Sequence, residues 1–169
     1  GATARWLRGC GEQDRPLLGW PELRAVAEAG VEVAAHSHTH PQLDRLPTTR
    51  VRAEAATSRV ALEDALGTGV EGFAYPYGYW DRSARQAVRA AGFGYACQVG
   101  ERTSSATDDP WSVPRHSIDA GTGVPGLARL LGASTTGRAA HARAALGRVG
   151  WRTARRIPGV GGNPREGSP

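Results

Sequence analysis

Three of the chain's five histidines fall within five residues, in the run His36-Ser37-His38-Thr39-His40-Pro41. Clustering of this kind at the end of an apolar run is unusual for side chains that only pack. Imidazole nitrogens bind divalent cations at about 2.0–2.1 Å, so two convergent rings could share one ion. Two backbone shapes would bring rings together. If the chain turns helical after His36, then His36 and His40 lie on one face at i and i+4. If it stays extended, His36 and His38, or His38 and His40, share a face at i and i+2. The plain alternative is a polar loop whose histidines are solvated or act as caps. Further along, Pro76-Tyr77-Gly78 reads by itself as a turn. His116 sits in an apolar, strand-like stretch, Ser112–Ile118.

These residues need elements to position them. A helix is predicted from Trp20-Pro21-Glu22, with Pro in its first turn, to a stop at Gly30, with Leu23, Val26 and Ala27 as its apolar face. Val31–Ala35 reads as a short buried strand leading into His36. The spacing of Val51, Ala55, Leu62 and Leu66 predicts a helix over about Thr48–Leu66, with Gly67 as its C-cap. Gly72–Tyr75, Phe93–Val99 and Ser112–Ile118 are further strand candidates, and a third helix is expected from about Asp81 to Ala91. Helices and strands alternate with short connections, which favours parallel βαβ units. Four strands are too few to close an eight-stranded barrel, so an incomplete one is expected. No internal repeat is present.

With 169 residues, 40% hydrophobic and 22% charged, the chain reads as one soluble globular domain. It has no apolar run long enough to cross a membrane and no signal peptide, so the sequence gives no compartment. It opens on Gly1 and contains no methionine, which reads as a processed or excised piece of a longer product. Two cysteines, Cys10 and Cys97, make no disulfide framework, and Cys97 is expected to be a small buried hydrophobe. All 21 basic residues are arginine, unevenly spread. Residues 120–169 hold 8 Arg and 1 Glu, a net of +7, against −2 for the remainder. A Gly-rich stretch with an apolar patch at Leu127–Leu131 leads into a possible basic helix over Arg138–Arg156, and residues 158–169 are expected to be disordered. A solvated tail is favoured. Contact with an anionic membrane surface is the next reading, and contact with nucleic acid or another polyanion ranks below it.

The histidine run resembles the H-[S/T]-x-x-H motif of the polysaccharide deacetylases, the NodB-homology or carbohydrate esterase family four enzymes. The approach Ala29-Gly30-Val31-Glu32-Val33 and the following Pro41-Gln42-Leu43 are similar to that family's, and Phe73-Ala74-Tyr75-Pro76-Tyr77-Gly78 resembles its third motif. Asp109–Arg115 is similar to a late strand in some members. The resemblance runs from about Trp20 to Ile118. It implies an α/β fold, a partial, distorted (β/α) barrel with parallel strands, spanning residues 20–119 between an irregular segment, 1–19, and the basic tail, 120–169. It further implies hydrolysis of acetyl groups on a polysaccharide or oligosaccharide. His36 and His40 would hold a zinc-like divalent metal, and the Tyr77 backbone N–H would bind an oxyanion. Tyr75, Pro76, Tyr77 and Trp80 would line a sugar groove. His116 is the candidate catalytic acid, with a structural histidine as its alternative.

Two departures stand out. The family's Asp-Asp pair, one base and one metal ligand, has no counterpart in residues 1–35, where Asp14 is the sole aspartate. Thr107-Asp108-Asp109 looks like that motif but lies downstream and reads as a solvated loop. Ala74 stands where many members carry arginine. A non-catalytic deacetylase-like domain that binds carbohydrate or metal is therefore the second functional reading. The tail's apolar face is interrupted by Gly147 and Gly150, each costing a helix about 1 kcal/mol against Ala. Deleting residues 136–169 should therefore leave the melting temperature of the body essentially unchanged; a large drop would place the tail within the fold.

Overall fold

The structure is a computed structural model, and residues 14–132 are described. Residues 1–13 with Cys10, the expected helix over Arg138–Arg156 and the end segment 158–169 lie outside the described residues. The described residues hold four helices, α1 (Trp20–Glu28), α2 (Thr48–Leu66), α3 (Arg82–Ala90) and α4 (Gly123–Gly132), and three strands. The strands are β1 (Gly72–Ala74), β2 (Tyr95–Val99) and β3 (Val113–Arg115). Single 3-10 turns occur at Leu43–Arg45, Pro76–Gly78 and Pro110–Ser112.

The strands form one parallel sheet in the order β1-β2-β3, with Phe73 beside Ala96 and Cys97 beside Val113. Parallel pairing requires a crossover between strands, and α3 supplies it between β1 and β2. The strand expected over Val31–Ala35 is reduced to one parallel bridge between Ala35 and Phe73. Its N–H donates to the Gly72 carbonyl (2.9 Å) and its carbonyl accepts from Ala74 (2.8 Å). β1 begins only at Gly72, so the residues before Ala35 have no ladder partner there, and Val31 is 56% exposed. The described residues therefore make an open α/β layer of the expected kind and do not close a barrel.

Among the described residues, the buried core lies on one face of the sheet. Ala35, Phe73, Tyr75 and Ala96 point toward α2 and α3 and pack with Val51, Ala55, Val70, Ala84, Val88 and Phe93. Phe73 is central, its ring 5.1 Å from Phe93 and 5.5 Å from Tyr75. The alternate residues Tyr95, Cys97 and Val99 fall on the opposite face, as the period of two in a strand requires, and are half-buried. Cys97 is thus not the fully buried hydrophobe expected from its neighbours; it is a half-buried free thiol, and desolvation raises its pKa.

The helix ends follow the sequence closely. Gly67 ends α2 in the left-handed conformation (φ 71°), and the Asp81 carboxylate accepts from the Ala84 N–H (2.8 Å) at the start of α3. Arg59 ties α2 to the end of α3, donating to Glu63 (2.8 Å) and to the Ala91 carbonyl (2.9 Å). The Gly-rich stretch after residue 120 is helical, where a linker was expected: α4 carries no buried residue and meets the body where the Thr103 hydroxyl donates to the Leu130 carbonyl (3.3 Å). No helix among the described residues is long and apolar enough to cross a membrane.

Because Phe73 is 1% exposed at the centre of this layer, Phe73→Ala should cost about 3–5 kcal/mol in urea unfolding. Val124→Ala, at a position 81% exposed, should stay within about 0.5 kcal/mol of the parent; equal effects would misplace the core.

Candidate functional site

The Ala35 bridge delivers His36 to the C-terminal end of β1. His36 Nδ1 lies 2.7 Å from the Ala74 carbonyl oxygen. A carbonyl only accepts, so Nδ1 carries the proton and Nε2 is left with its lone pair. That Nε2 lies 3.1 Å from Nε2 of His40. Without a metal, His40 Nε2–H can donate to it; with both Nε2 atoms deprotonated, the same separation lets each stand about 2.0–2.1 Å from one cation. The donor set therefore fits a divalent ion as far as two ligands go. Among the described residues no group of three or more His, Cys, Asp or Glu side chains is placed to complete a metal site.

His36 and His40 are four residues apart, but they do not meet on a helix. The loop reverses through Ser37 (φ 64°) and His40 (φ 60°), both in the left-handed region. That conformation costs a non-glycine residue about 1–2 kcal/mol, so surrounding bonds must enforce it. The Ser37 hydroxyl accepts from the His40 N–H (3.0 Å). The Glu54 carboxylate, 5% exposed on α2, accepts from the His38 N–H (2.9 Å), the Thr39 N–H (2.8 Å) and the Thr39 hydroxyl (2.7 Å). His38 contributes its backbone to this arrangement, and its side chain is exposed.

The electrostatics keep both rings neutral. Desolvation is the chief cause lowering the His36 pKa; its hydrogen bond to Ala74 opposes this, and the positive charge of Arg115 adds to it. His40 is lowered to about 4, by desolvation first and then by His36. Neutral imidazole is the form that binds metal.

Beside the pair stands an aromatic wall. Tyr77, at φ 58° in the turn Pro76–Gly78, sets its ring edge-on to His40 with centroids 4.7 Å apart. It stacks on Tyr79 at 6.0 Å. Gly78 permits the turn: at φ 72°, an added Cβ would stand 2.7 Å from the backbone nitrogen of Val99. Tyr75 is 0% exposed, donates its hydroxyl to the Trp111 carbonyl (3.0 Å) and stacks with Trp80 at 6.0 Å. Pro76 is also buried, so neither Tyr75 nor Pro76 offers a surface to a ligand here; both back the wall. Trp80 is half-buried, with Nε1–H donating to Gln98 (2.8 Å).

His116 is held differently. Its Nε2 lies 3.3 Å from the Thr103 hydroxyl, beside α4, and its Nδ1 is buried without a hydrogen bond among the described residues. The Asp108-Asp109 pair is not a solvated loop. Asp108 pairs with Arg102 (2.8 Å), which lowers its pKa to about 2, and Asp109 pairs with Arg85 (2.6 Å). Sequence reasoning missed Glu54, Tyr79 and Trp111. Glu54 had a legible signal, a charged residue between the apolar positions Val51 and Ala55 on the buried face of α2.

Residues 3–96 match the family model described as polysaccharide deacetylase. No curated protein sequence matches the chain. Among solved structures, the fold is similar to a Streptococcus pyogenes deacetylase in complex with acetate (TM-score 0.66, 18% identity, 72% of this chain and 54% of that one). It is also similar to a polysaccharide deacetylase from Bacillus cereus (TM-score 0.61, 20% identity, 69% and 37%) and to a deacetylase domain from Bordetella bronchiseptica (TM-score 0.55, 21% identity, 61% and 50%). The chain thus spans about half or less of the length of these structures, and at such identities the likeness is one of fold.

The depressed pKa values predict a pH dependence. A histidine whose folded pKa lies below its unfolded value binds fewer protons folded than unfolded, so the contribution of this pair to stability falls as pH drops below about 6.5, that of His40 being lost by about 4. In the metal-free protein, NMR titration should give His40 a midpoint near 4 and His36 one below 6.5. A His40 midpoint at or above 6.5 would contradict the packed, neutral pair.

Proposed function

Since the chain belongs to the polysaccharide deacetylase family, we propose that it supplies the metal-binding part of a hydrolase that removes acetyl groups from a carbohydrate, with His36 and His40 as ligands to a zinc-like divalent ion. The observation that carries this reading is the 3.1 Å approach of the two Nε2 atoms, with His36 fixed in a ligating tautomer by the Ala74 carbonyl. When bound, such an ion would polarise the acetyl carbonyl and lower the pKa of its water to about 7. The rest falls to the chain's own residues. The backbone N–H of Tyr77 is proposed to donate to the oxyanion of the tetrahedral intermediate; losing one such donor typically costs about 2.7–4 kcal/mol. The Tyr77 ring and the half-buried Trp80 would meet the sugar, with Tyr75 and Pro76 behind them as a rigid wall. His116 is the candidate proton donor to the leaving group, and its bond to Thr103 equally supports a structural role beside α4.

A base and a carboxylate ligand would have to come from outside residues 14–132. The lack of an Asp-Asp pair in residues 1–35 also supports a second reading, a non-catalytic domain that keeps the fold and binds metal or carbohydrate. The tail, residues 120–169 in the proposed division, has no assigned part in either, beyond possible contact with an anionic surface.

The purified 169-residue chain should bind Co²⁺ or Zn²⁺, and His36→Ala and His40→Ala should each abolish that binding. It should release acetate from an acetylated oligosaccharide about 100- to 10,000-fold more slowly than a complete deacetylase, the usual effect of losing a general base. Robust acetate release would show that the base lies within this chain. Failure to bind either metal would overturn the metal assignment.

A further inference from the structure

We infer that Glu54 is a positioning residue for the histidine pair: its buried carboxylate is the template that holds the His36–His40 loop in its ligating shape. This inference rests on the proposed metal role of His36 and His40, although the loop geometry behind it does not. Glu54 lies on α2 between Val51 and Ala55, both 0% exposed, and is itself 5% exposed. A carboxylate in such surroundings is costly unless its lone pairs are satisfied. Glu54 receives three hydrogen bonds, all from the two residues between Ser37 and His40: Oε2 accepts from the N–H groups of His38 (2.9 Å) and Thr39 (2.8 Å), and Oε1 from the Thr39 hydroxyl (2.7 Å).

Both N–H groups point at one oxygen, and the residues that flank them, Ser37 and His40, are the loop's two left-handed residues. The His40 N–H is separately taken by the Ser37 hydroxyl at 3.0 Å. The strained loop is thus held by one internal bond and by three bonds to Glu54. The other anchor is the Ala35 bridge with the His36–Ala74 bond, which fixes His36 alone. Glu54 ties the two residues before His40 to α2. The carboxylate acts on the metal site through the backbone, touching neither ring.

An acceptor-only group suits this task. A glutamine of the same shape offers one carbonyl oxygen and an NH₂ donor, so it cannot satisfy the two N–H groups and the hydroxyl together in the same way. Outer partners that orient metal ligands typically change affinity by 10- to 100-fold when lost.

The test compares the full chain with Glu54→Gln, Glu54→Asp and, as a control on the same helix, Ser58→Ala. Ser58 is 6% exposed and donates only to the Ala55 carbonyl, so it perturbs α2 without reaching the loop. Affinity is read from Co²⁺ titration, and loop order in the metal-free protein from amide hydrogen exchange at His38 and Thr39. Glu54→Gln should weaken Co²⁺ binding by about 10- to 100-fold and speed exchange at both amides by about tenfold or more, while Ser58→Ala changes neither. Glu54→Asp, which keeps the charge one methylene short, should fall between and stands in if Glu54→Gln fails to fold. Folded Glu54 variants with parental affinity and exchange, or an equal loss in Ser58→Ala, would overturn the inference. If the parent itself binds no Co²⁺, the metal reading fails and amide exchange alone decides: fast exchange in the Glu54 variants supports the template role, and parental exchange refutes it.

Discussion

Ala35 exchanges two backbone hydrogen bonds with β1, through the Gly72 carbonyl and the Ala74 N–H, and the functional side chains are placed relative to that junction. The bridge fixes where the chain leaves the sheet. His36, the next residue, then has the Ala74 carbonyl within 2.7 Å of its Nδ1. One carbonyl at the end of a strand thereby sets a ring's orientation and its tautomer together. The ladder that holds β1 against β2 continues through Tyr75, whose N–H donates to the Cys97 carbonyl (3.0 Å), and so brings the Pro76–Gly78 turn to the same end of the sheet. Pairing by backbone groups thus places two motifs, nearly forty residues apart in sequence, around one small volume.

Among the described residues, the core of the layer that supports them lies on one face of the sheet. Phe73 and Tyr75 point into the core beneath α2 and α3, and Ala74 between them faces the other way. Tyr75 shows the consequence most directly. Its ring is fully buried, its hydroxyl is taken by the Trp111 carbonyl, and desolvation raises its pKa, so it serves the site by stiffening the turn that follows. Trp80 and Gln98 extend that brace: Gln98 accepts from the indole and donates to the Ser112 carbonyl (2.9 Å), linking the wall to the segment before β3. Two of the buried polar residues, Glu54 and Gln98, bridge separate elements, whereas Ser58 bonds within α2.

The arginine–carboxylate pairs do a different task. Asp108 and Asp109, which look in sequence like a catalytic pair, are committed to Arg102 and Arg85 and to nearby backbone N–H groups. Carboxylates so engaged shape the loop ahead of β3. Among the described residues the candidate site holds two imidazoles, an aromatic wall and a turn, with no group of three or more His, Cys, Asp or Glu side chains placed around one ion.

The local signals in the sequence carried the elements. Apolar spacing located α2 from Thr48 to Leu66, Gly67 marked its end, and a third helix was expected from about Asp81, because propensity and capping act over a few residues. Clustering and the motif resemblance pointed to His36 and His40, yet left open the backbone that brings them together. That choice depended on two left-handed residues and a carboxylate fourteen residues beyond His40, contacts that no local period encodes. The shrinkage of Val31–Ala35 to one bridge, the half-burial of Cys97 and the burial of Tyr75 likewise depend on which neighbours the sheet has on each side. Residue types and spacing determined what this chain offers as ligands and where its helices start and stop. Tertiary structure decided which of those groups meet, because burial and hydrogen-bond geometry are properties of elements brought together from distant parts of the chain.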